Sequence, residues 1–136
     1  MEERYEFIKY IRQAIGSPYR WGSQNIDNGF DCSGLVIWAF KQMGWRLNDM
    51  TSSELFDHFH HHRCLQPASN VGCLWFYGDS PAKLTHVMVV LEKWDNGEFI
   101  LAGARGGNSK TTDNNIAYRE KAFVDVVHGS YWNNNF

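Results

Sequence analysis

Phe7, Ile8, Ile11 and Ile15 recur at helical spacing in a charged N-terminal stretch. Residues 3–15 are therefore predicted to form an amphipathic helix with one apolar side. Gly16 and Pro18 follow in the order that ends a helix. A second stripe, Leu35, Val36, Ala39, Phe40 and Met43, repeats at i, i+1, i+4, i+5 and i+8. It predicts a helix that opens at Cys32 and ends near Gly44. "TSSELFDHF", residues 51–59, sets hydroxyls ahead of Glu54 and reads as a short capped helix. Residues 17–31 interleave glycine, asparagine and serine with Tyr19, Trp21 and Phe30, which is loop character. Residues 60–72 read the same way.

The period then changes. "CLWFY", "HVMVVLEKW", "EFILAGA" and "AFVDVVH" are short runs rich in Val, Ile, Phe and Trp, bounded by turn residues. "WDNGEF" predicts a hairpin around Asn96-Gly97. His86, Met88 and Val90 face one way along their strand, and Val87, Val89 and Leu91 the other. Both faces are apolar, which predicts an interior strand. Helices followed by strands give an α+β class, with the N-terminal helices packed on a central antiparallel sheet. There is no repeat, low-complexity tract or internal linker.

A length of 136 residues fits one domain, 1–136, and 43% apolar residues supply a core. Aromatics at 15% fit either a ring-lined groove or a ring-rich core. A formal net charge of −2 argues against a broad nucleic-acid-binding face. No apolar run is long enough to insert in a membrane. The charged start, Met-Glu-Glu-Arg-Tyr-Glu-Phe, lacks the apolar stretch of an export signal. That predicts a cytoplasmic location as synthesised. Three cysteines, Cys32, Cys64 and Cys73, leave at least one thiol unpaired within the chain. Cys73 reads as a strand residue facing the core.

Cys32 stands at the mouth of its helix, between Asp31 and Ser33. A helix N-terminus stabilises a thiolate through its first-turn N–H groups and the positive end of its dipole. The same groups can hold an oxyanion. The alternative is a small buried hydrophobe. Of six histidines, His86 differs by opening an apolar strand. Its ring needs a polar partner, and that partner is either a thiol across a groove or a backbone carbonyl.

"SPYRWGSQNIDNGFDCSGLVIWAFKQMG" resembles the core of the NlpC-type family of cell-wall peptidases, which are papain-like cysteine enzymes. The family pattern runs Pro-Tyr-x-Trp-Gly, a polar loop, then Phe-Asp-Cys-Ser-Gly-Leu-Val. Pro18, Tyr19, Trp21, Gly22, Phe30, Asp31, Cys32, Ser33, Gly34, Leu35 and Val36 match it. "TSSELF" is similar to the family's serine-rich segment, "GCLWFY" to its Gly-Asp-Leu-x-Phe strand, and "THVMVVLE" to its histidine strand. The resemblance implies a papain-like NlpC-type fold with Cys32 as nucleophile and His86 as base. It implies hydrolysis of amide bonds in peptidoglycan stem peptides, of the D-glutamyl–diamino acid type, with no cofactor. Tyr19, Asp31 and Ser33 match positions that shape the substrate side. Asp31 suits a free amino terminus, or caps its helix, or does both. Tyr19 and Trp21 line the groove or fold the loop.

One position departs from the family. The usual His, Asn or Gln that orients the base aligns with Leu101, which accepts no hydrogen bond. Asn108, Asp113 or a backbone carbonyl are the alternatives. Leu101 also motivates a second reading, a non-catalytic wall-binding or phage tail module with phage tail proteins as partners. The settings compatible with the start of the chain are a phage-borne enzyme, a cytoplasmic recycler of stem peptides, or a domain of a longer chain. "HFHHHRC" offers His58, His60, His61, His62 and Cys64 to zinc, but at irregular spacing, and reads as a surface run without metal. Arg105 is a further candidate, for a substrate carboxylate.

Overall fold

The computed structural model describes residues 2–59, 70–80 and 82–129. Helix α1 (Glu2–Ala14) buries Phe7, Ile8, Ile11 and Ala14, while Ile15, predicted on that side, is exposed. Helix α2 (Cys32–Gln42) is buried from Cys32 through Ala39. It crosses the centre of the molecule, and the chain leaves it through Gly44 at φ +90. Helix α3 (Ser52–His58) carries the predicted capping box: Thr51 accepts from the Glu54 N–H, and the Glu54 carboxylate accepts from the Thr51 N–H.

Strands β3 (Leu74–Gly78), β4 (Leu84–Lys93), β5 (Phe99–Arg105) and β6 (Phe123–His128) form one antiparallel sheet in the order β3-β4-β5-β6. β4 is interior, as its two apolar faces require. The β4–β5 turn follows the expected hairpin, with the Gly97 N–H on the Trp94 carbonyl and Gly97 at φ +88. Val87, Val89, Ala102, Ala104 and Val124 pack against Ile11, Leu35, Val36, Ile37 and Leu55 of the helices. Cys73, Tyr77, Met88, Val90 and Leu101 form a second, smaller cluster. The alternation of Val87 and Val89 with Met88 and Val90 puts the two clusters on opposite faces of the sheet. Shortening a fully buried Leu35 to alanine is worth about 2–5 kcal/mol at such a site.

Two local expectations are corrected, and one helix appears where the sequence predicted none. The 17–31 loop contains a two-stranded ribbon, β1 (Gln24–Asn25) with β2 (Gly29–Phe30). Helix α4 (Asn114–Glu120) stands in a stretch without an apolar stripe; Asp113 caps it by accepting from the Ile116 N–H. Cys73 precedes β3, is buried, and is disulfide-bonded rather than a simple core thiol. Residues His60, His61, His62 and Cys64 and the "YWNNNF" ending lie outside the described residues. No helix among the described residues is long and apolar enough to cross a membrane.

Candidate active site

Asp31 fixes the start of α2. Its Oδ1 accepts from the Gly34 N–H at 2.7 Å and its Oδ2 from the Gly22 N–H at 2.9 Å. One carboxylate thus ties the helix to the preceding loop. Burial nevertheless pushes the Asp31 pKa up, against these two bonds. Gly34 is required by closeness: a Cβ there would strike the Ser23 carbonyl and the Asp31 carboxylate. The loop is held from its other side as well. The Tyr19 N–H bonds the Ala122 carbonyl at 3.0 Å and the Trp21 N–H the Thr111 carbonyl at 2.8 Å. Thr111 is buried and donates to Glu120 of α4 at 2.8 Å.

Cys32 is the free cysteine among the described residues and keeps 8% of its surface open. Its sulfur lies 3.5 Å from Ser52 Oγ and 3.9 Å from the Thr85 carbonyl oxygen. The Val87 and Ser33 N–H groups also bond it. The sulfur therefore rests against the β4 main chain on both sides of His86. Burial raises the thiol pKa above its ordinary value, and the Ser52, Val87 and Ser33 contacts only partly oppose this. The helix-end argument predicted a standing thiolate. Desolvation wins instead, so the resting group is a thiol.

The His86 ring is half-buried, with Nε2 2.9 Å from Met88 Sδ and the ring tilted against Tyr77 at 6.0 Å between centroids. Burial first, then the positive charge of Arg105, push its pKa down to about 4. His86 is thus a neutral imidazole at neutral pH. Cys32 packs in the helix-side cluster, whereas the His86 ring lies on Met88 and Tyr77 of the other face, and the sulfur's contacts are to Ser52 and to the main chain of 85 and 87 rather than to the ring.

Tyr19 is buried, and Gly107 leaves room for its ring. Burial, with Cys32 and Asp31 close by, raises its pKa, so it stays a phenol. Ser33 is buried and bonds Asp31. Trp21 is exposed. Leu101 is buried in the apolar cluster with Met88 and Val90. The Asn108 carbonyl accepts from the Lys110 N–H and Asp113 caps α4, so both side chains serve their own loop. Arg105 Nε donates to Asp125 Oδ1 at 2.7 Å. His58 is exposed beside Phe59 at the end of α3.

Sequence reasoning did not single out Ser52, Thr85 or Met88. For Ser52 a signal existed, because it lies three residues before Leu55, the buried face of α3. Met88 carried none, since a methionine on an apolar strand reads as packing.

A helix that presents a cysteine to an antiparallel sheet, next to a strand histidine, is the arrangement of papain-like folds. The chain belongs to the NlpC/P60 family, whose model matches residues 16–136. It is 30% identical over 119 residues to the murein DD-endopeptidase MepH of Escherichia coli K12, covering 84% of this chain and 41% of that protein. It is 38% identical over 84 residues to the bifunctional muramidase/DL-endopeptidase CwlT of Bacillus subtilis 168, covering 60% of this chain and 23% of that one. The chain thus spans less than half the length of these relatives. Among solved structures, the P60 domain of a Mycobacterium avium subspecies paratuberculosis antigen aligns with a TM-score of 0.64 at 25% identity, over 93% of this chain and 85% of that one. The Mycobacterium tuberculosis peptidoglycan hydrolase RipB aligns at 0.61 and 24% identity, over 93% and 58%.

Proposed function

We propose that residues 1–136 act as a cysteine peptidase domain on bacterial peptidoglycan stem peptides, cutting a D-glutamyl–diamino acid amide with Cys32 as nucleophile and His86 as base. The observation that carries this reading is the seat of the Cys32 sulfur at the first turn of α2, against the main chain that flanks His86. A neutral His86 takes the thiol proton as the sulfur attacks the amide carbonyl. With the Gly34 N–H on Asp31 and the Ser33 N–H on the sulfur, the Cys32 main-chain N–H is the first-turn donor assigned to the oxyanion. The imidazolium that results is a strong acid here, because its pKa is so low, and it gives its proton to the leaving amine. Water then releases the acyl group from sulfur.

Ser33 bonds Asp31, Tyr19 lies close to Asp31 and Cys32, and this reading assigns the three to the substrate side. With Gly34, Gly22 and Ser33 bonded to it, the Asp31 carboxylate keeps one of its roughly four acceptor sites, which suits a peptide amine. The relatives' names, a murein DD-endopeptidase and a muramidase/DL-endopeptidase, support the substrate class and give no support to a phage tail part. The test is a digest of purified muropeptides with the protein and with Cys32→Ala, read by mass spectrometry. New D-glutamyl termini with the native protein alone are expected. Identical profiles from both would refute the reading and favour a wall-binding module.

A further inference from the structure

Leu101 leaves the family's orienting position apolar, and a different side chain touches the His86 ring. We propose that Met88 is the positioning residue for His86, holding the imidazole through an Nε2–H···Sδ hydrogen bond. The inference rests on the Cys32–His86 reading above and deepens it.

Met88 Sδ lies 2.9 Å from His86 Nε2. A thioether sulfur accepts hydrogen bonds and donates none. In a neutral ring the proton of this contact therefore sits on Nε2, and Nδ1 carries the basic lone pair. His86 and Met88 are two residues apart on β4, so they share a face of the sheet. Met88 is fully buried among Tyr77, Val90 and Leu101, which fixes the sulfur. Its seat depends on Gly103: a Cβ there would come 2.5 Å from Sδ. Of the polar alternatives offered by the sequence, Asn108 bonds Lys110 and Asp113 caps α4. A weak, uncharged acceptor sets the tautomer without adding the negative charge that would favour imidazolium. That agrees with a ring that stays neutral well into the acid range.

The test uses the intact chain with Met88→Leu, which keeps the volume and removes the acceptor, and Met88→Gln, which restores a polar acceptor. Nitrogen-15 NMR of the imidazole reads the tautomer in the free protein, and steady-state cleavage of a stem peptide reads kcat and KM. In the native protein the Nε2–H form should dominate. In Met88→Leu the Nδ1–H form should grow, and kcat should fall about tenfold with KM unchanged, part of the roughly 10²–10⁴ that a positioned base contributes. Met88→Gln should recover both. An unaltered tautomer ratio and kcat in a folded Met88→Leu protein would overturn the proposal. The NMR readout needs no substrate. A native protein that leaves stem peptides uncut would therefore refute the peptidase reading, while the tautomer still decides the role of Met88.

Discussion

Ser52 Oγ stands 3.5 Å from Cys32 Sγ, so the first turn of α3 meets the first turn of α2 at the sulfur. The hydroxyl is one of the few groups that oppose the burial-driven rise of the thiol pKa. Ser52→Ala should therefore raise that pKa further and slow alkylation of Cys32 by iodoacetamide at pH 8. A net hydrogen bond of about 1 kcal/mol corresponds to roughly fivefold. In the native protein the alkylation rate should rise with pH through a midpoint above that of a free cysteine. Cys73 should stay unlabelled until a reductant is added. A midpoint below the free-thiol value would show a standing thiolate and contradict the burial argument.

His86 sets the acid side of both activity and stability. Its neutral form is the base, and its pKa is about 4, against 6.5 for an ordinary histidine. Activity should hold as pH falls through 6 and decline only towards pH 4. Because the folded value lies below the unfolded one, the unfolded chain binds the extra proton between these limits. Stability is full above about 6.5 and drops as pH approaches 4, by on the order of 2 kcal/mol. Urea titrations across this range should show that slope in the native protein and a flatter one in His86→Gln. Equal slopes would mean the imidazole is not desolvated.

Arg105 lies close enough to disfavour the imidazolium, and its partner is Asp125. Arg105→Gln removes the positive charge. The His86 pKa should rise, and the acid limb of kcat should move to higher pH. Histidine proton shifts followed by NMR give the same quantity without turnover. A displacement to lower pH would count against the assignment.

Asp31 closes two main-chain donors, on Gly34 and Gly22. Asp31→Ala should lose about 1–2 kcal/mol as a helix cap, and more of the activity than the stability, because the start of α2 carries the nucleophile. Asp31→Asn keeps one acceptor oxygen and should fall between. Denaturant melts with parallel peptide cleavage separate the two effects.

Gly34→Ala tests the fit between α2 and the 17–31 loop. The added methyl meets the Ser23 carbonyl and the Asp31 carboxylate. Overpacking of this kind costs about 1–3 kcal/mol. A drop in melting temperature with loss of cleavage is expected, and an unchanged melt would show that the loop yields freely.

Local chemistry made much of this legible from the residues. The stripe from Leu35 to Ala39 had to be buried, and Thr51 with Glu54 had to cap α3. The alternation from His86 to Leu91 had to run through the middle of a sheet. Asn96-Gly97 had to turn. Asp31, Cys32 and Ser33 were readable as a helix start because that geometry depends on adjacent residues. α4 was not, because its residues carry no apolar stripe and its place depends on Asp113 and on packing behind Thr111.

Apart from α4 and the β1–β2 ribbon, the sequence alone determined the elements, and with them the α+β class and the two residues on which the chemistry is proposed to turn. Only the tertiary structure decided what surrounds them. Ser52 comes to the sulfur from a separate helix, twenty positions on, and the Met88 thioether meets the imidazole. It also reversed the expected charge state of Cys32. Helix-end stabilisation is written in the order of the residues, whereas desolvation depends on every segment that closes over the thiol, and no linear pattern encodes their sum.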